Sequence, residues 1–316
     1  MSLNPEIPTL YMTVGLVASG KTTYAYRLAM DANAVVVDSD EYRKDLFGDE
    51  EHQEDNKKLF EHLHKVVKQC LRAGKNVVFS ATNLSSKRRR AFLNELTKIP
   101  CEKKCVIMAT PFEQCVHNNY NRERQVPIDA MWRMYKSFQT PAMFEGWDSI
   151  EIKYWENSKR SVNAIKMLNS LYDFDQDNPH HTLSLGEHML KTMAYMQSNW
   201  NDGDVPLDLY YASSLHDIGK TECRTYMDYK GRQCQYAHYY NHENTGAYDV
   251  LFFDFCDNQT DQLTLDVSVL INLHMKMYSF ANTDNPQKVH DKYRRLWGDE
   301  LYNKLVKLHK ADVNAK

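Results

Sequence analysis

The chain has 316 residues, of which 42% are hydrophobic and 26% charged, and its formal net charge is −3. That balance excludes a disordered or fibrous polymer, and the length leaves room for two domains with separate cores. No apolar run approaches the roughly 18 residues needed to cross a bilayer, and near-neutral charge argues against bulk electrostatic wrapping of nucleic acid. The N-terminus lacks the basic and apolar regions of a secretory leader. Seven cysteines occur without a C-x-x-C pair, which predicts reduced thiols in a cytoplasmic protein with no membrane association.

In chain order, "TLYMTVG" predicts a buried strand ending at a glycine turn, and "KTTYAYRLAMDA" a helix. "AVVVDSD" predicts a second strand. "NKKLFEHLHKVVKQCLRAG" has apolar residues at helical spacing, and "KNVVFSATN", "KKCVIMAT" and "SIEIKYW" predict three further strands. Alternation of strands and helices predicts an α/β domain over residues 1–156, a parallel sheet with helices on both faces. Residues 157–178 read as a linker, and residues 179–316 as an all-α domain with one hairpin around "CRTYMDYKGRQCQYA".

Residues 15–22, "GLVASGKT", satisfy G-x-x-x-x-G-K-[ST] between a strand and a helix. Backbone amides of such a loop cradle phosphate oxygens at a helix N-terminus. Gly15, Ser19, Gly20, Lys21, Thr22 and Thr23 are therefore the expected contacts to ATP, with Lys21 on the β- and γ-phosphates and Thr22 on Mg2+. The second strand ends in Asp38, Ser39 and Asp40, followed by Arg43. A carboxylate there can deprotonate an attacking hydroxyl and an arginine can grip an acceptor phosphate. Asp40 could equally cap the helix that follows.

These residues, with "SATNLSSKRRR" and "NRERQVPIDAMWRMYKSF", resemble the kinase module of phage-type polynucleotide 5′-kinases over about residues 10–155. The resemblance implies Asp40 as general base and Arg43 as the grip on the acceptor's phosphate. It places Thr82 and Asn83 against the acceptor, and Arg122 and Arg124 in a lid over the triphosphate. Several members carry an acidic residue where this chain has Ala81. The run Lys87-Arg88-Arg89-Arg90 reads either as a track for a nucleic-acid backbone or as a solvated helix face.

The second half carries His188, His216-Asp217, His242, His274 and Asp312, each in or beside a helical pattern. Flanking apolar residues such as Leu190 and Met193 are expected to bury one face of each helix. Imidazole with carboxylate suits a transition metal better than calcium. His180, His181, His238, His290 and His309 read as ordinary histidines. The combination, marked by "HDIGK" and "NHENTGA", resembles the HD phosphohydrolase superfamily from about residue 180 onward. The resemblance implies a core site of His188, His216, Asp217 and Asp312, with His242 and His274 on a second ion. Lys220 would face a substrate phosphate.

A kinase beside a phosphohydrolase resembles enzymes that heal broken nucleic-acid ends. One site would phosphorylate a 5′-OH of RNA or DNA, and the other would clear a terminal or 2′,3′-cyclic phosphate before a ligase acts. ATP, Mg2+ and one or two transition-metal ions are the implied cofactors. Two alternatives remain at this stage: a small-molecule or nucleoside kinase fused to a nucleotide phosphohydrolase, and an ATP-gated module that senses a nucleotide or RNA end.

Overall fold

A computed structural model describes residues 7–48, 55–179, 182–201, 203–280 and 283–315. His180 and His181 lie outside the described residues. The chain divides into two compact units, Met1–Met134 with Pro141–Trp155, and Tyr135–Thr140 with Glu156–Lys316.

The first unit alternates strands and helices: β1 (Thr9–Val14), α1 (Lys21–Asp31), β2 (Ala34–Asp38), α2 (Ser39–Phe47), α3 (Asn56–Arg72), β3 (Asn76–Ser80), α4 (Ser86–Glu95), β4 (Glu102–Ala109), α5 (Phe112–Tyr120), α6 (Ile128–Tyr135) and β5 (Ser149–Tyr154). The strands form one parallel sheet in the order β2-β3-β1-β4-β5. Its central strands are apolar on both faces: Leu10, Met12, Val77, Val78, Val106 and Ile107 are all buried. A sheet covered by crossover helices requires this pattern. On α3, Leu59, Leu63, Val67 and Leu71 fall at four-residue spacing and are all buried, so that helix turns one apolar stripe to the core.

From β1 the chain builds outward to β3 and β2 on one side and to β4 and β5 on the other. Connections diverge at the carboxyl end of β1, which opens the crevice where ligands of such sheets collect. The loop at residues 15–20 occupies that position.

The second unit begins with a two-residue strand β6 (Val162–Asn163) and α7 (Ala164–Ser170). Then follow α8 (Leu185–Ser198), α9 (Leu207–Leu215), the short α10 (Lys220–Cys223), β7 (Thr225–Met227), β8 (Gln233–His238), α11 (His242–Asp249), β9 (Phe253–Asp254), α12 (Asp261–Leu273), α13 (Lys276–Phe280), α14 (Pro286–Trp297) and α15 (Asp299–Asn314). It is a helical unit with two small strand pairs, parallel β6–β9 and the antiparallel hairpin β7–β8. α8 and α12 pack against α9, α15 against α8, and α11 against α12. Met189, Leu209, Ala212, Tyr248, Leu270, Ile271 and Leu305 fill the space between them.

Two local expectations are corrected. The stretch 157–178 carries β6 and α7 within the second unit, because Asn163 caps α7 and Ala164 and Leu168 bury its inner face. On α8 the inward residues are Leu185, His188, Met189, Thr192 and Met196, while Leu190 and Met193 are only half-buried. The helical period sets that face. No described helix is long and apolar enough to cross a membrane.

Candidate active sites

The loop after β1 is shaped for close backbone approach. Ala18 and Gly20 take left-handed backbone conformations (φ 58° and 84°), and Gly20 caps α1. A Cβ on Gly15 would lie 3.0 Å from the Met108 carbonyl oxygen and 2.9 Å from Ser19 Oγ. Neighbouring elements hold the loop: Thr110 Oγ1 donates to the Ser19 carbonyl (3.1 Å) and Asn118 Nδ2 to the Ala18 carbonyl (3.1 Å). Lys21 is buried, and its ammonium donates to the Leu16 carbonyl. Burial pushes its pKa down to about 8, against the pull of Cys115, Asp40 and Asp38. A buried cation bonded only to loop oxygens is placed to exchange them for phosphate. Thr23 lies exposed in the first turn of α1.

Asp38, not Asp40, caps α2. Its Oδ1 accepts from the backbone amides of Asp40 (2.9 Å) and Glu41 (3.4 Å), and its Oδ2 accepts from Thr22 Oγ1 at 3.2 Å. That frees Asp40, whose side chain is 43% exposed and accepts from Arg43 Nη1 at 2.8 Å. Arg43 is itself buried, with Nη2 on Asn56 Oδ1 (3.0 Å) and its Nε without a partner among the described residues. So the base candidate is accessible and the arginine is held on it.

Thr82 and Asn83 follow β3 beside the loop. The Gly15 amide donates to the Thr82 carbonyl (3.1 Å), and Asn83, in a left-handed conformation at φ 47°, donates through Nδ2 to the Thr13 carbonyl (2.9 Å). Within the basic run Lys87 and Arg88 are exposed, but Arg89 departs from both readings. It is 2% exposed and grips Glu145 through Nε (2.7 Å) and Nη2 (2.6 Å), while Nη1 donates to the carbonyls of Asn83 (2.8 Å) and Leu84 (3.0 Å). Glu145 also accepts from Trp147 Nε1 at 3.0 Å. Arg122 and Arg124 sit on the connection between α5 and α6, Arg122 exposed and Arg124 half-buried. The side chain of Asn119 clamps that connection through both the amide and the carbonyl of Val126 (3.0 and 2.9 Å).

In the second unit the six residues proposed as ligands converge. His188, His216 and Asp312 form one group and Asp217, His242 and His274 another, each with ligand atoms within 4.8 Å of one another. Asp217 faces both. Its Oδ1 lies 3.0 Å from His242 Nε2 and 3.6 Å from His274 Nε2. Its Oδ2 lies 3.5 Å from His216 Nε2 and 3.7 Å from His188 Nε2.

Tautomers follow from the outer nitrogens. Nδ1 of His188, His216, His242 and His274 faces the carbonyls of Ala315 (3.2 Å), Ser213 (3.2 Å), Tyr239 (2.8 Å) and Ile271 (2.7 Å). A carbonyl can only accept, so each Nδ1 carries a proton and each Nε2 faces inward, where it can ligate a metal ion once it holds no proton of its own. Nε2 of His188 then stands 3.3 Å from that of His216, and Nε2 of His242 stands 3.2 Å from that of His274. Inward nitrogens this close to one another and to carboxylate oxygens need a shared cation, and imidazole with carboxylate is a donor set that fits a transition metal.

Charge agrees. Burial opposes ionisation of Asp217, but Lys220 and His216 hold its carboxyl well below the usual range. Burial likewise opposes ionisation of Asp312, yet His216 and His188 hold it far down. Lys220 is buried, with Nζ on Asp217 Oδ2 (2.7 Å) and Gln176 Oε1 (2.8 Å), which makes it a direct partner of the Asp217 carboxylate.

Several residues of this centre gave no sequence signal. Gln176 lies in the stretch read as linker, and Tyr278 donates to Asp312 Oδ2 at 2.8 Å. Gly219 did have a signal, its place inside "HDIGK". A Cβ there would meet the His242 carbonyl at 2.1 Å and the Gly246 nitrogen at 2.5 Å, so this glycine lets the Asp217 turn and α11 close on each other.

Comparison with known proteins adds a family profile described as an AAA domain, matching residues 10–141. Among solved structures, a chain of the Pnkp1/Rnl/Hen1 complex is 24% identical over 40% of this chain, at a TM-score of 0.34. A chain of the Pnkp1/Rnl/Hen1 RNA repair complex is 23% identical over 42%, at a TM-score of 0.38. This chain spans 43% and 44% of the lengths of those two. The Mycobacterium tuberculosis APS kinase CysC is 19% identical, with 47% of this chain and 90% of that one covered and a TM-score of 0.36. No curated protein matches the sequence. The first unit is a parallel sheet wrapped by helices with a P-loop sequence after β1, and a helical C-terminal region follows it.

Proposed function

We propose that the chain is a bifunctional nucleic-acid end-healing enzyme, with an ATP-dependent polynucleotide 5′-kinase in its first unit and an HD-type phosphohydrolase in its second. The observation that carries this reading is the pairing of a loop suited to cradle phosphate with a His/Asp centre whose ligand atoms all turn inward. Both sites act on phosphate, in opposite directions.

In the kinase, the loop amides and Lys21 would hold the triphosphate, while Asp38 orients the hydroxyl of Thr22 toward Mg2+. Asp40 would take the proton of the 5′-hydroxyl as O5′ attacks the γ-phosphorus. The bond from that phosphorus to the bridging oxygen breaks and ADP leaves. Arg43 orients Asp40 and would grip the acceptor phosphate; Thr82 and Asn83 would line the acceptor. Arg122 and Arg124 would neutralise charge on the transferring group and exclude water.

In the second site, His188, His216 and Asp312 would hold one transition-metal ion and Asp217, His242 and His274 a second. Such ions supply Lewis acidity and a bound water acidic enough to ionise near neutral pH. The chain's own part is orientation. Four carbonyls fix the imidazoles, Lys220 with Gln176 fixes the Asp217 carboxylate, and Tyr278 fixes Asp312.

Incubation with γ-labelled ATP, Mg2+ and a 5′-OH RNA tests the first half. Label is expected on the RNA and is expected to disappear in Asp40→Ala. Labelled nucleoside with unlabelled RNA would replace this reading with the small-molecule kinase.

A further inference from the structure

The hairpin β7–β8 is anchored at both ends in the metal centre. Lys220 lies five residues before β7, and His242 four residues after β8. At its base, Tyr239 accepts His242 Nδ1 on its carbonyl, lies under the Lys220 ammonium at 5.6 Å, and meets Arg224 Nε with its hydroxyl at 3.1 Å. The hairpin then projects an unusual set of rings. Tyr229 is 78% exposed, Tyr236 43%, Tyr226 40% and Tyr240 40%, within fifteen residues of one another. Tyr240 already stacks on His238, with centroids 5.2 Å apart and planes 11° apart.

Around these rings the side chains are polar or cationic. Lys230 sits over the Tyr229 ring at 5.4 Å, and Gln233 and Gln235 are exposed. The acidic groups nearby are engaged: Asp228 by Arg232 at 2.6 Å and Asp177 by the hydroxyl of Tyr226 at 2.6 Å. Open aromatic faces interleaved with cations suit stacked bases joined by phosphates, since every base has a π-face and every linkage a negative charge. A protein partner would call for a continuous aliphatic patch, and Met227 is the one exposed aliphatic side chain on the described strands of the hairpin.

We infer that the hairpin at residues 225–240 is a stacking platform that binds single-stranded polynucleotide and feeds its phosphate-bearing 3′ end to the metal centre. The inference rests on the end-healing reading and names the surface that gives the second site its polymer substrate.

The test uses the full chain and a short single-stranded RNA with a 3′-terminal phosphate and 4-thiouridine beside it. Photocrosslinks are expected within residues 225–240. The double variant Tyr229→Ala/Tyr236→Ala, at exposed positions, is expected to weaken RNA binding by roughly 10-fold or more. Tyr229→Phe/Tyr236→Phe, which keeps both rings, is expected to bind as the parent does. Crosslinks only outside the hairpin, or unchanged affinity in the alanine variant, would overturn the platform. Release of the 3′-phosphate is scored separately: release without hairpin crosslinks removes the platform and keeps the end-healing reading. Hairpin crosslinks without release under any added transition metal remove that reading and keep the platform.

Discussion

Gly219 shows how much one missing methyl group decides. Its Cβ position is already taken by the His242 carbonyl oxygen at 2.1 Å and Thr245 Oγ1 at 2.4 Å. Backbone must move to admit alanine, and overpacking of this kind typically costs about 1–3 kcal/mol. Gly219→Ala is therefore expected to lower the melting temperature and the bound-metal content together; a melting temperature equal to the parent's would show that the turn yields freely. Arg89 makes a second case. Removing it strands Glu145, whose side chain is fully buried, and losing one partner of a buried ion pair costs about 3–5 kcal/mol. Arg89→Met is expected to lose about that much in urea unfolding, while Arg89→Met/Glu145→Leu should recover most of it. If the double variant retains ATP binding but loses affinity for a 5′-OH acceptor, the role of Arg89 in holding the Asn83 and Leu84 carbonyls is established. At this scale the sequence displays ligands but hides their supports. Histidine and aspartate at "HDIGK" point to metal by type, whereas Arg89 sits in a basic run that reads as solvent-facing until its partner 56 residues away is seen.

At the scale of elements, the His/Asp cluster gathers α8, the turn after α9, α11, the end of α12 and α15. A ligand bound only by the folded state stabilises by mass action, by about 2.7 kcal/mol at a hundredfold excess over Kd. Chelation followed by dialysis is expected to lower the melting temperature, and a first-row transition metal to restore it; an unchanged melting temperature after verified metal removal would count against a structural tie. Asp38 acts likewise at the mouth of α2. Asp38→Ala removes a helix cap worth about 1 kcal/mol, and it also frees the Thr22 hydroxyl, so a rise in KM for ATP·Mg2+ should accompany the lost stability. The strands of the first unit were legible because a parallel sheet needs both faces apolar, and the glycine turn after β1 marked the crevice. Residues 157–178 were not, since α7 is too short to show a period and Gln176 acts through a buried hydrogen bond that no local pattern signals.

For the whole molecule, the proposed function has one chain add phosphate at one end of a polynucleotide and remove it from the other. The two sites lie in separate compact units, so their reactions are expected to be separable by substitution. The most direct measurement follows both ends of one RNA, carrying a 5′-OH and a 2′,3′-cyclic or 3′-phosphate, in the presence of ATP, Mg2+ and a transition metal. The parent protein is expected to yield a 5′-phosphate and a free 3′-hydroxyl. Asp40→Ala should lose only the first change and Asp217→Asn only the second. An RNA left unaltered at both ends, by a protein that binds ATP and carries its metal, would contradict the account.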